Sequence, residues 1–188
     1  MDWNDINIRT WMKIKDYLTP GDEITNTIGI VAGVWGLDED EVSNMSLDEF
    51  NSYIKKLEFM SSEPVPSMPK DRYVLNGREY DLVMDIRKVT AGMWIDFQST
   101  PKDDYIGLLS IFMIPRGKTY NEGYDILQAR EDIGYLPLPD VLGLMAFFLI
   151  LYRAYTQALL RYSLRKIHPR NEKEKELKKK IKEMLDMF

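Results

Sequence analysis

Apolar positions recur at intervals of three and four along most of this chain, a spacing that predicts helices because such residues share one helix face. Over 7–18 the stripe is Ile8, Trp11, Ile14 and Leu18, closed by Thr19-Pro20-Gly21. Over 22–35, Ile24, Ile28, Val31 and Val34 or Trp35 are expected inward, with Asp22 and Glu23 complementing the helix dipole and Gly36 capping the end. A short acidic turn of helix follows over 38–42. Ser46 and Glu49 have the capping-box spacing, in which each side chain accepts from the other residue's amide. The helix they open carries Phe50, Tyr53, Ile54 and Leu57.

The pattern then changes. Pro64, Pro66 and Pro69 deny the segment amide donors and helical geometry, so 63–70 reads as an extended linker after an N-terminal helical unit at 1–62. Asn76-Gly77 between Tyr73-Val74-Leu75 and Arg78-Glu79-Tyr80 is a hairpin signal, since both turn residues tolerate positive φ, and this hairpin is expected to be the only sheet. Thr90 can cap a helix carrying Met93, Trp94, Ile95 and Phe97. Residues 102–114 read as one mostly buried helix, stopped by Pro115-Arg116-Gly117, and 120–133 as another.

Val141 to Tyr152 is the most apolar segment, and its helical pattern continues to Leu164. At about 1.5 Å per residue the uncharged run reaches about 18 Å, short of the roughly 30 Å hydrocarbon core of a bilayer. With Asp140 and Arg153 on its flanks it reads as a buried central helix, membrane insertion being the alternative. Pro169 separates it from a last helix over 171–187. The expected fold class is mainly α: a helical domain with one small β-hairpin and a long C-terminal helical region. The expected organisation is a helical unit at 1–62, a linker at 63–70, hairpin and helical core at 71–168, and a basic amphipathic helix at 169–188.

Composition narrows the chemistry. The 188 residues, 45% hydrophobic and 29% charged, suffice for one ordinary domain or two small ones. The net charge of −5 conceals a split: residues 161–188 hold 10 Lys/Arg against 5 Asp/Glu, leaving 15 against 25 in residues 1–160. An acidic body argues against a nucleic-acid partner. The absence of cysteine excludes disulfides, thiolate metal sites and cysteine nucleophiles, and the single His168, beside Pro169, removes most zinc and Ser-His-Asp chemistry. The acids at 38–41 and Asp103-Asp104 radiate around helical turns instead of converging on an ion. Gly29, Gly33 and Gly36 lack the strand-first setting of a nucleotide loop and instead suit close helix approach. Gly117-Lys118-Thr119 lacks the upstream glycine of a phosphate loop. The expectation is a chain that is not an enzyme, with no catalytic residues, cofactor or metal. The polar start, Met1-Asp2-Trp3-Asn4-Asp5, does not read as a secretory signal, which favours the cytosol.

What remains is surface for partners. Tyr and Trp are abundant, which suits a core and also protein interfaces, and Trp3 and Trp11 are the candidate contacts near the start. In the last helix Leu177, Ile181, Met184 and Phe188 recur at four, three and four with Leu185 beside them, a narrow apolar stripe flanked by Glu174/Lys178 and Glu176/Lys180 pairs. Leu177, Ile181, Met184 and Leu185 are therefore the second candidate contact set. A helix folded back on its own domain is the competing account of the same stripe.

Several segments also resemble a known group in their order. Trp3-Asn4-Asp5-Ile6 leads into a helix ending at Tyr17-Leu18; the Asn76-Gly77-Arg78-Glu79-Tyr80 hairpin, Val89-Thr90-Ala91-Gly92-Met93-Trp94-Ile95-Asp96 and the apolar Gly143–Leu151 helix follow. The arrangement resembles small morphogenesis proteins of tailed bacteriophages, those called tail assembly chaperones or small virion-associated proteins, over most of residues 1–165. The resemblance implies a non-enzymatic protein, present in many copies in the host cytoplasm or virion, that binds other virion or assembly proteins. It supplies no catalytic residues. A peripheral membrane protein using 141–152 and the basic tail is the alternative.

Overall fold

Short-range capping chemistry sets most helix starts. Asn7 caps α1 (Ile8–Ile14) by accepting from Thr10 N–H, and Asp22 caps α2 (Glu23–Trp35), which ends on left-handed Gly36 at φ 69°. In α3 (Glu39–Asn44) the acidic run has a local use. Asp38 is the N-cap, and its own N–H donates to Glu41, which completes a capping box. At α4 (Leu47–Lys56) only half of the expected box forms: Ser46 accepts from Glu49 N–H at 3.3 Å. The computed structural model describes residues 1–166 and 171–186. The chain is mainly α with one small antiparallel sheet.

The glycines of α2 serve helix contact. A methyl group at Gly29 would overlap the Tyr17 ring, and one at Gly33 would overlap the Cγ2 of Ile14, so both positions let α1 and the 3-10 turn after it lie against α2. On the other side of α2, Val31 and Ala32 join Val42 in a small core that gathers Ile28, Trp35, Phe50 and Tyr53. Ile24, expected inward, is exposed, because it sits on the first turn, ahead of that core.

The hairpin forms as expected. Arg72–Leu75 (β1) pairs with Arg78–Leu82 (β2), and Asn76 and Gly77 occupy the turn at φ 48° and 76°. The sheet nevertheless has a third strand, Met113–Pro115 (β3), pairing antiparallel with β2 from Tyr80↔Pro115 to Leu82↔Met113. The helix expected over 102–114 is therefore shorter, Tyr105–Phe112 (α6), and its last residues become sheet. β2 would otherwise present unpaired backbone groups, and Pro115, lacking an N–H, fits an outer strand. Before it, Thr90 caps α5 (Ala91–Ser99), whose Met93 is buried while Ile95 points to solvent. The helix expected over 120–133 begins only at Ile126 (α7, Ile126–Ile133). Asn121 and Gly123 both have positive φ, which a helix cannot continue through, and Asp125 supplies the cap.

The chain divides into two compact units, residues 1–144 and residues from 145 onward. In the first, the start of the chain is sewn to the segment after α7. Ile8 N–H donates to Leu136 O, Arg9 N–H to Gly134 O, and Leu138 N–H to Ile6 O at 2.7 Å. Ile6, Ile8, Ile14, Leu136 and Leu138 are all buried there. The proline-rich segment lies inside this unit as a strap over the start of α8 (Leu138–Lys166). Ser67 N–H donates to Pro139 O at 2.9 Å, its carbonyl occupies the space a Cβ on Gly143 would need, and Lys70 pairs with Asp140 at 3.6 Å. The second unit comprises the remainder of α8 and α9 (Glu172–Asp186). On α9, Lys180–Glu176 at 3.2 Å is one of the expected pairs, joined by Lys175–Glu172 and Lys179–Glu183. The expected break at Pro169, with His168 and Phe188, lies outside the described residues.

Candidate interaction surfaces

Trp3 and Trp11 come together at the start of the chain. Asp2 caps a single 3-10 turn, Trp3–Asp5, with Asp5 closing the box, and this holds the Trp3 indole edge-on to Trp11 at 6.2 Å and to Phe59 at 5.1 Å. Each such aromatic contact contributes about 0.5–1.5 kcal/mol beyond burial. The indole N–H of Trp3 donates to Ser62 O at 2.9 Å, so its polar edge is used inside the fold. Both tryptophans are half-buried. The cluster clamps residues 3–11 to residues 59–62.

The stripe on α9 splits by face. Leu177 and Met184 are seven residues apart, almost in line on a helix, and both are exposed. Ile181, rotated about 40° from Leu177, is buried, and Leu185 is half-buried. On α8, Leu149 and Ile150 are 66% and 70% exposed, although the sequence pattern reads this segment as fully buried. An all-round apolar run carries no periodicity from which the solvent face can be read. The signal available was Arg153, one turn beyond Leu149, which marks the side facing water.

The most fully built polar cluster surrounds Asp132, a residue that no sequence motif marks. It is 0% exposed on α7. Its Oδ1 accepts from Asn76 Nδ2 at 3.0 Å and Gln128 Nε2 at 3.1 Å, and its Oδ2 from Arg78 Nη1 at 2.7 Å and Tyr80 Oη at 2.6 Å. Arg78 and Tyr80 come from alternate positions of β2, which share one face, and Asn76 comes from the turn just before them. Burial pushes the Asp132 pKa up, but the four hydrogen bonds outweigh it and hold the carboxyl below the usual carboxylate range. Burial first, and then the hydrogen bond to the Asp132 carboxylate, push the Tyr80 phenol well above its ordinary value. The hint in the sequence was positional: Asp132 sits beside Ile133 and three residues after Ala129, on the inward face of α7. A carboxylate with four committed donors has no free lone pair aimed at a substrate, so the cluster works as a pin between hairpin and helix.

A second crosslink ties α6 to α7. Asp104 caps α6 through Gly107 N–H at 2.8 Å and accepts from Arg130 at 2.8 Å. Burial raises its pKa, and the Arg130 and Gly107 bonds more than reverse that. A polar cleft of about 310 Å³ borders α2, lined by Lys13, Tyr17, Gly33, Asp38 and Glu39 among others, but Tyr17 Oη already donates to Glu39 at 2.5 Å across it. Among the described residues, no three His, Asp or Glu side chains are grouped as metal ligands. Comparison of the chain with family models, with curated proteins and with solved structures finds no match.

Proposed function

We propose that this chain is a non-enzymatic interaction protein of tailed-phage particle assembly, a tail assembly chaperone or a component of the head-to-tail region. It acts in many copies in the host cytoplasm or virion by binding other virion or assembly proteins. The phage setting rests on the order of sequence segments. The observation that supports a binding role is the set of large apolar side chains left in solvent on the two C-terminal helices, Leu149, Ile150, Leu177 and Met184. Exposed apolar groups gathered on helices suit a partner surface. The polar clusters, by contrast, are satisfied internally.

The test is the mass of the purified full chain in solution, alone and beside the products of neighbouring genes. Truncation after residue 169 should leave the first unit folded and abolish co-purification or self-association; an unchanged complex size would reject the reading. A second reading, a peripheral or membrane-inserted protein, draws on α8. Its 29 residues run about 44 Å, and it is long and apolar enough to cross a bilayer by length and composition. Flotation with liposomes separates the two, because an interaction protein should remain at the bottom of the gradient.

A further inference from the structure

Asn76 combines three properties. It precedes a glycine, it lies in an exposed two-residue turn, and its side-chain nitrogen is held by a fully buried carboxylate. Gly77 has no side chain to shield its backbone nitrogen, and nothing lies within 4 Å of where a Cβ would stand. We propose that Asn76-Gly77 is a site of spontaneous deamidation that Asp132 holds in check while the hairpin is closed, and that the reaction then irreversibly weakens the attachment of the hairpin to α7.

The chemistry needs only water. The Gly77 backbone nitrogen attacks the Asn76 side-chain carbonyl carbon, forming an N–C bond. The Cγ–Nδ2 bond breaks, and Nδ2 leaves as ammonia with the proton from the Gly77 amide. Water then opens the five-membered succinimide at either carbonyl, giving aspartate or isoaspartate and, at neutral pH, one released proton. Nothing is oxidised or reduced.

Two features of the fold act on this step. The leaving nitrogen is the atom that donates to Asp132 Oδ1 at 3.0 Å, so the side chain must leave the pin before it can cyclise. The turn also fixes Asn76 at φ 48° within the Leu75↔Arg78 register, which resists the backbone rotation that ring closure requires. Reaction is therefore limited to local openings of the hairpin. Once it occurs, the Asn76 donor to the pin is lost for good. An aspartate at 76 sets a carboxylate oxygen against the Asp132 carboxylate where a donor stood, a like-charge contact beside a buried anion. Isoaspartate adds a backbone methylene inside a two-residue turn and shifts the strand register. Either product leaves Arg78 and Tyr80 to hold β2 to Asp132 and so loosens the hairpin on α7 without detaching it.

The experiment incubates the full chain at neutral pH, folded and in urea, and follows the peptide containing Asn76 by mass, one unit per event, with isoaspartate assayed separately. The expected result is conversion in urea and conversion at least about tenfold slower in the folded chain, as for reactions gated by local opening. Gln128→Ala, which loosens Asp132 without removing it, should speed conversion of the folded chain. Asn76→Asp should lower the melting temperature of the first unit more than Asn76→Gly, which loses the same donor without adding charge. Equal rates in folded and unfolded chain, no conversion in either, or an Asn76→Asp variant as stable as Asn76→Gly would overturn the proposal.

Discussion

Asp132→Ala removes the acceptor for four donors at once, and its cost can be worked donor by donor. Tyr80 is 1% exposed, so its hydroxyl is left in the interior without an acceptor, at about 1–3 kcal/mol. Arg78 is half-exposed, and Asn76 and Gln128 stand at the surface, so all three can return to water. What they lose is a hydrogen bond to a charged group, worth about 1.5–3 kcal/mol for the better of them. The expected destabilisation is about 3–5 kcal/mol, a large share of the 5–15 kcal/mol typical of a domain. Trp3, Trp11, Trp35 and Trp94 all lie in the first unit, so tryptophan fluorescence in urea reports that unit alone. With a urea slope of about 2 kcal/mol per molar, the midpoint should fall by about 1.5–2.5 M. The pH dependence has a definite sign. A carboxyl whose folded pKa is depressed stabilises the fold above its unfolded pKa of about 3.9, and that stability disappears as pH falls through the lower folded value. The wild type should therefore lose stability below about pH 4 more steeply than Asp132→Ala. A midpoint shift under about 0.5 M, or identical acid profiles, would show that the pin carries little of the stability.

Three further outcomes follow from the packing. Gly33→Ala should destabilise the first unit by about 1–2 kcal/mol, since overlap with fully buried Ile14 exceeds the helix-propensity gain of about 1 kcal/mol; a more stable variant in the same urea assay would contradict the close approach. Leu177→Ser and Met184→Ser should leave helical circular dichroism and thermal stability within about 0.5 kcal/mol of wild type, whereas Ile181→Ser should reduce both; equal effects at all three positions would refute the division of the α9 stripe. Thr90→Ala removes the acceptor for Met93 N–H at 3.2 Å and should cost about 1 kcal/mol in urea unfolding, with no change in solution mass.

Features that depend on neighbours in sequence were legible from the sequence by itself. The caps at Ser46 and Thr90, the left-handed Gly36, the Asn76-Gly77 turn and the contact role of the α2 glycines are set by groups a few residues apart or by the conformational range of one residue. So was the stripe of α9, though not which of its edges is covered. Tertiary structure decided the rest. Met113–Pro115 has the composition of a helix end and becomes a strand because β2, about 30 residues earlier, has an open edge to pair. The place of Asp132 in the helical pattern hints that it faces inward, but its role is set by three donors more than 50 residues away that close on it. Leu149 and Ile150 are as apolar as their buried neighbours, and only the placement of surrounding chain leaves them in water. Each is a case of long-range pairing or burial, in which the free energy of a residue is set by groups that local sequence does not specify.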